Sequence, residues 1–165
     1  MKKTTLWKSS HDIPPSARQD LVALLNQQLA EALDLGLQVK QAHWNVKGPS
    51  FIALHELFDE VADEIAESVD ELAERAVALG GIALGTVQTI AKASTLKPYP
   101  LDILAGEDHL KALVAALSRY AKSVRAAVDA AAKIDDAGTE DLLTSLSRKV
   151  DDLLWKIEAH LATKS

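Results

Sequence analysis

Four long stretches in which apolar residues recur every third or fourth position, separated only by Gly, Pro and Asp breaks, leave this chain little choice but a helical bundle. The first runs over residues 17–45 and carries Leu21, Leu24, Leu25, Leu29 and Leu33; Gly48-Pro49 stops it. Ser16 is the expected cap at its start and Ser50 at the start of the second stretch, which reaches Leu79 before Gly80-Gly81 ends it. The third, from Asp102 or Gly106 to Lys133, shows Leu110, Val114, Leu117, Ala121, Val124 and Val128. Asp135-Asp136-Ala137-Gly138 breaks it, and the fourth runs from about Thr139 to Ala162 through Leu143, Leu146, Val150, Leu153 and Ile157. Between the second and third, residues 82–101 form a connection of roughly 20 residues, where bundle neighbours usually need two to eight. That segment must cross the bundle, and Thr86 to Ala93 within it read as a short helix. The expectation is an all-α protein, with a flexible tail over residues 1–15 and one four-helix bundle domain over residues 16–165.

Composition narrows the function. With 48% hydrophobic residues the chain is globular, and a net charge of −6 argues against a body that binds nucleic acid generally. It has no cysteine, so disulfides and thiolate metal sites are excluded. No run approaches the ~20 uninterrupted apolar residues of a membrane span, and the basic start lacks the apolar core of a signal peptide, so a cytoplasmic location is expected.

The second stretch holds residues that suit metal chemistry. Taking His55 as zero on a helix that turns ~100° per residue, Asp59 falls near ~40°, Asp70 near ~60° and Glu74 near ~100°. Asp63 also falls on this flank, near ~80°, so geometry alone does not choose the ligands. The flank borders an apolar arc of Leu54, Phe58, Val61, Ile65, Val69, Leu72 and Ala76 on one side and Glu60, Glu64, Glu67 and Glu71 on the other. Asp59 and Asp70 are eleven residues apart, roughly 16 Å along the axis, too far for one ion to touch both. Either the helix carries two unrelated half-sites, or a second copy lies antiparallel across a two-fold axis and brings its Asp70 and Glu74 to the first copy's His55 and Asp59. His43, across the short Val46 to Ser50 break, can fold back toward His55. Imidazole with carboxylate suits Fe(II), Mn(II) or Zn(II). The alternative reading makes His55 and Asp59, four residues apart, a surface ion pair and Asp70 and Glu74 ordinary solvated acids.

The run Lys40-Gln41-Ala42-His43-Trp44-Asn45-Val46-Lys47-Gly48-Pro49, then Phe51, Leu54-His55, Phe58-Asp59, and Asp70 to Glu74-Arg75, resembles the Dps family, the ferritin-like DNA-protection proteins of starved bacteria. The resemblance extends from about residue 17 onward and includes Gly80-Gly81, Tyr99-Pro100, and Ser147-Arg148 to Leu154-Trp155. It implies a ferritin-like four-helix bundle assembled into a dodecameric shell, with a ferroxidase centre at each two-fold interface. In that arrangement His43, His55 and Asp59 come from one subunit and Asp70 and Glu74 from its partner. The implied activity is oxidation of Fe(II), preferably by hydrogen peroxide, with Fe(III) stored inside and DNA spared oxidative damage; zinc or manganese are the substitutes the ligands would accept. The chain has no Glu-x-x-His, the motif that builds an iron centre inside ordinary ferritin bundles, so the bundle interior is expected to be apolar.

The resemblance also implies acidic iron-entry pores near the start of the last helix, for which Asp135, Asp136, Glu140 and Asp141 are the candidates; the same acids also suit a helix N-terminus. In this family DNA contact usually depends on a basic tail, here Lys2, Lys3 and Lys8. Repetition over twelve subunits would strengthen weak contacts, giving a nucleoid-associated, DNA-compacting protein with secondary metal sequestration as the competing function. A solvated tail without DNA function is the other reading, and Trp7 either stacks on bases or docks on the shell. Trp44 reads as an oxidisable residue beside the site or as an interface or core aromatic. His11, His109 and His160 are assigned surface or capping roles.

Overall fold

The structure, a computed structural model, describes residues 5–161. It contains five helices: α1 (Pro15–Asn45), α2 (Phe51–Ala78), the short α3 (Val87–Ala93), α4 (Gly106–Ile134) and α5 (Ala137–Glu158). The four long helices form the bundle, α1 packing chiefly on α2 and α4 on α5, with α1 against α4 and α2 against α5 closing the ring. This is the ferritin-like topology: short connections join each pair, and the long crossover with α3 lies against α1.

The helix boundaries differ from expectation in how they are made. α1 starts at Pro15, two residues early, with Pro14 in the cap position in place of Ser16. Proline suits the first turn because its φ is already helical and its missing N–H is one the helix does not use. Ser50 does cap α2 by position, but its side chain makes no capping bond; Gly48, at φ 118°, turns the chain so that Phe51 N–H donates to Gly48 O at 3.0 Å. α5 starts at Ala137, because Asp135 ends α4 in the left-handed region at φ 62°. Gly81 is required for a different reason. A Cβ there would stand 2.4 Å from Val22 Cγ1 and 2.9 Å from the Ala76 carbonyl oxygen.

The core is the stripe of each helix: Leu21, Leu25, Leu29, Leu35 and Val39 of α1, Phe58, Val61 and Leu72 of α2, Leu113, Leu117 and Val124 of α4, and Leu143, Val150, Leu153 and Ile157 of α5. Leu24 and Leu33, read as part of the α1 stripe, are only half-buried and pack at its edge.

A polar row on α1 explains the route of the crossover. Gln27 Nε2 donates to Ala93 O at 3.0 Å and Gln38 Nε2 to Lys97 O at 3.1 Å. Between them Glu31 accepts from Thr95 Oγ1 at 2.7 Å and Asp34 from Ser94 Oγ at 2.5 Å. These positions recur at four, three and four residues, so the row runs straight up one helix face and satisfies a segment that has no ladder of its own. Asn26 extends it, donating to Ile82 O at 2.9 Å and accepting from Leu84 N–H at 2.8 Å.

Candidate metal centre

His43 sits in the last turn of α1 and His55 in the second turn of α2, and the Gly48 turn folds one onto the other. Their rings stack with centroids 3.8 Å apart and planes 18° from parallel. The hydrogen bonds are reciprocal: His43 Nδ1 lies 2.8 Å from His55 O, and His55 Nδ1 lies 2.9 Å from His43 O. A carbonyl oxygen only accepts, so both Nδ1 atoms must carry the proton. In the neutral rings each Nε2 is then left with its lone pair, the state a metal ligand requires, with the backbone supplying the fixing bond that commonly orients a ligating imidazole. Phe51 covers the other side of His55, ring centroids 5.1 Å apart.

Asp59, one turn beyond His55, completes this half-site. Its Oδ1 is 3.8 Å from His43 Nδ1 and accepts a hydrogen bond from Lys40 Nζ at 2.5 Å. The Lys40 bond, aided by the Lys40 charge, holds the Asp59 carboxyl below the usual aspartate range against the opposing effect of desolvation. Lys40 is a site residue that sequence reasoning missed. The signal was its place three residues before His43, on the same face of α1. Its ammonium neutralises Asp59 where a bound cation would do so, so a metal at Asp59 competes with it.

Asp70 and Glu74 lie exposed farther along α2, and one chain does not bring them to the histidines. Among the described residues no three His, Asp or Glu side chains come together in a metal-binding group. The donor set present, two oriented imidazoles and one carboxylate at a half-exposed surface, fits a borderline divalent cation such as Fe(II) and leaves coordination positions to be filled from outside the chain. Trp44, beside His43, is 65% exposed, which removes it from the core.

The acids near α5 separate into two kinds. Asp136 is buried, receives Arg75 Nη2 on both oxygens at 2.8 and 2.9 Å, and accepts from Thr139 Oγ1 at 2.5 Å. Burial pushes its carboxyl up, but the bonds from Thr139 and Arg75 outweigh this and hold it below the ordinary range. Its carboxylate is thus committed to tying the end of α2 to the α4–α5 turn. Asp135 and Asp141 are exposed and Glu140 is half-buried, which leaves those three facing solvent.

His109 corrects the expectation of a surface role. It is 1% exposed, its Nδ1 is 2.7 Å from Tyr99 OH, and burial lowers its pKa. The first turn of α4 points inward here because Lys47 N–H donates to Leu104 O at 2.9 Å and holds the α1–α2 turn over it. His11 and His160 are exposed. Lys8 is exposed, while Lys2 and Lys3 lie outside the described residues. Trp7 is 65% exposed, its N–H donating to Gly80 O at 2.7 Å, and Leu6 and Ile13 pack on the core edge. No helix among the described residues is long and apolar enough to cross a membrane.

Comparison with known proteins agrees with the fold and the motif. The ferritin-like domain family matches residues 22–164. A DNA protection during starvation protein of Agrobacterium fabrum is 43% identical, over 96% of this chain and 98% of its own length. The structure of DpsA14 from Streptomyces coelicolor superposes with a TM-score of 0.92 at 35% identity, covering 98% of this chain and 95% of that one. The Dps protein of Vibrio cholerae, described as a member of a broad superfamily of ferritin-like diiron-carboxylate proteins, has a TM-score of 0.85 at 26% identity, covering 94% of this chain and all of its own. A ferritin-like bundle with a stacked histidine pair joining the end of α1 to the start of α2, and relatives that match it nearly end to end, place this chain in the Dps family of ferritin-like proteins.

Proposed function

We propose that this chain oxidises Fe(II), preferentially with hydrogen peroxide, at a centre shared by two subunits, and stores the Fe(III) inside a dodecameric shell that protects DNA. Membership of the Dps family supports iron storage and DNA protection in general. The observation that carries the specific reading is the reciprocal histidine pair, which fixes two imidazoles through their Nδ1–H groups and leaves each Nε2 its lone pair, with Asp59 Oδ1 3.8 Å from the His43 ring.

Each residue then has a task. His43 and His55 offer neutral nitrogen ligands whose orientation costs nothing at the moment of binding, because the backbone already holds it. Asp59 supplies negative charge that favours Fe(III) once it forms, and Lys40 keeps that charge compensated until iron arrives. Asp70 and Glu74 from the partner would add the carboxylates that one chain lacks, and two irons at the shared centre deliver two electrons to one peroxide. With two protons taken up, the products are water and Fe(III), and no hydroxyl radical is released. The exposed acids Asp135 and Asp141 and the half-buried Glu140 are the proposed approach for iron. Zinc or manganese would bind the same ligands without turnover, the location is proposed to be cytoplasmic, and Lys2, Lys3 and Lys8 are the proposed contacts to DNA.

The test is anaerobic loading of the purified protein with Fe(II), followed by peroxide in one sample and air in another, watching Fe(III) absorbance and counting Fe(II) consumed. The expected result is about two Fe(II) per peroxide, faster with peroxide than with air, and strongly slowed when His43 and His55 are both replaced by Gly. Rates no higher than in protein-free buffer would refute the activity and favour DNA compaction or passive metal binding; unchanged rates in the double variant would refute the site.

A further inference from the structure

Two antiparallel helices bury a rectangle of polar residues that the iron chemistry does not use. α1 contributes Gln28 and Glu31, one turn apart, and α4 contributes Tyr120 and Ser123, also one turn apart. Gln28 Nε2 donates to Ser123 Oγ at 3.1 Å. Because α1 and α4 run antiparallel, the Gln28–Ser123 bond sets Glu31 opposite Tyr120, one turn along each helix; burial and then the charge of Glu31 push the Tyr120 phenol well above its usual range. Gln28 is 2% exposed, Glu31 1% and Tyr120 1%.

Three polar atoms of this rectangle have no partner among the described residues: Gln28 Oε1, Glu31 Oε2 and Tyr120 OH. Glu31 Oε1 accepts from Gln27 Nε2 at 2.9 Å and from Thr95 Oγ1 at 2.7 Å, and among the described residues no Lys, Arg or His pairs with Glu31. Buried polar groups in native proteins are almost always satisfied, so three unpaired atoms on facing turns of two packed helices point to a ligand.

Counting donors and acceptors identifies its class. Gln28 Oε1 and Glu31 Oε2 only accept, and the Tyr120 hydroxyl has a hydrogen to give. A metal cation would satisfy the two acceptors and leave that hydrogen with nowhere to go; with one carboxylate it also falls short of what a hard divalent ion requires. A water molecule closes the account, giving its two hydrogens to Gln28 Oε1 and Glu31 Oε2 and accepting the Tyr120 hydrogen, and three bonds are the usual complement of a buried water. We propose that α1 and α4 enclose one structural water held by Gln28, Glu31 and Tyr120.

The site has a consequence beyond the core. Glu31 holds the water with one oxygen and Thr95 of the crossover with the other, and Gln27 joins Glu31 to Ala93. The water therefore orients the carboxylate that fastens the segment after α3 to the bundle, and its loss should loosen residues 93–97 more than the rest of the chain.

The decisive experiment is an atomic-resolution crystal structure of the full-length protein, grown once in sodium and once in potassium salts, together with amide hydrogen exchange on wild type and Tyr120→Phe. The expected result is a density peak at about 2.7–3.1 Å from all three atoms, identical in both salts. In Tyr120→Phe, exchange at residues 93–97 should quicken several-fold relative to the core of α2. A Tyr120 hydroxyl bonded directly to Glu31, with no peak between them, would overturn the proposal, as would a peak that changes with the salt, the mark of a cation. The crystallographic arm does not depend on the variant folding. Unchanged exchange in a folded variant would remove the proposed link to the crossover.

Discussion

Subunits carrying His55→Ala, co-assembled with subunits carrying Asp70→Ala, should recover activity that neither variant has alone. The reasoning is geometric. On α2 the residues Asp59 and Asp70 lie roughly 16 Å apart, so a centre that uses both His55 and Asp70 must take them from different chains. In a homogeneous assembly of either variant every centre lacks one ligand. A two-fold pair made of one subunit of each kind has two centres: one combines both lesions, and the other joins an intact His55 to an intact Asp70. Random pairing at equal expression makes about half of the pairs mixed, so about a quarter of all centres should be complete. The assay is co-expression with two different affinity tags, sequential purification, and the initial rate of Fe(III) formation after peroxide addition. A rate near a quarter of wild type fits the shared centre. A rate no higher than that of the parents, in a shell shown to contain both tags, would refute it.

Three further predictions address the residues around the site. Lys40→Met should tighten Fe(II) or Co(II) binding several-fold at neutral pH, because the ammonium that competes for Asp59 at 2.5 Å is gone; anaerobic metal titration reads this directly, and weaker binding would make Lys40 a supporting residue instead. Gly81→Ala should cost about 1–3 kcal/mol in thermal or denaturant unfolding, since the new methyl meets both Val22 methyls and a backbone carbonyl. Asp136→Ala should cost about 2–3 kcal/mol at neutral pH, the low end of breaking a buried ion pair because Arg75 is partly solvated. The folded-state pKa of Asp136 is depressed, so its contribution is fully present above the ordinary aspartate value of ~4 and is lost as pH falls through the folded value. Wild type should therefore lose its advantage over Asp136→Ala progressively on acidification below about pH 4, and a difference that does not shrink as the pH falls would contradict the ion-pair account.

The helices were legible because their apolar residues repeat at helical spacing and Gly, Pro and Asp interrupt them; of the residues the family motif pointed to, the fold stacks His43 on His55 and sets Asp59 3.8 Å from His43. What the sequence concealed are polar contacts between residues far apart in the chain. Gln27, Glu31, Asp34 and Gln38 have the spacing of a solvated helix face, yet the crossover covers them with its carbonyls and hydroxyls. Asp136 looked like one more acid at a helix start, and only its Arg75 partner, 61 residues away, shows it to be structural. His109 sits among charged neighbours at the start of α4 and is buried by a turn that belongs to α1 and α2. The proposed gathering of Asp70 and Glu74 with the histidines would be a property of two chains, so its basis in the sequence is the axial distance and the family pattern.

The most direct measurement is anomalous diffraction at the iron edge from crystals soaked anaerobically in Fe(II). The account predicts iron bonded to histidine Nε2 and to Asp59 of one subunit and to Asp70 and Glu74 of its two-fold mate, with Lys40 displaced from Asp59. Iron bound wholly within one chain, or found only at the acids near α5 while His43 and His55 keep no metal, would contradict it.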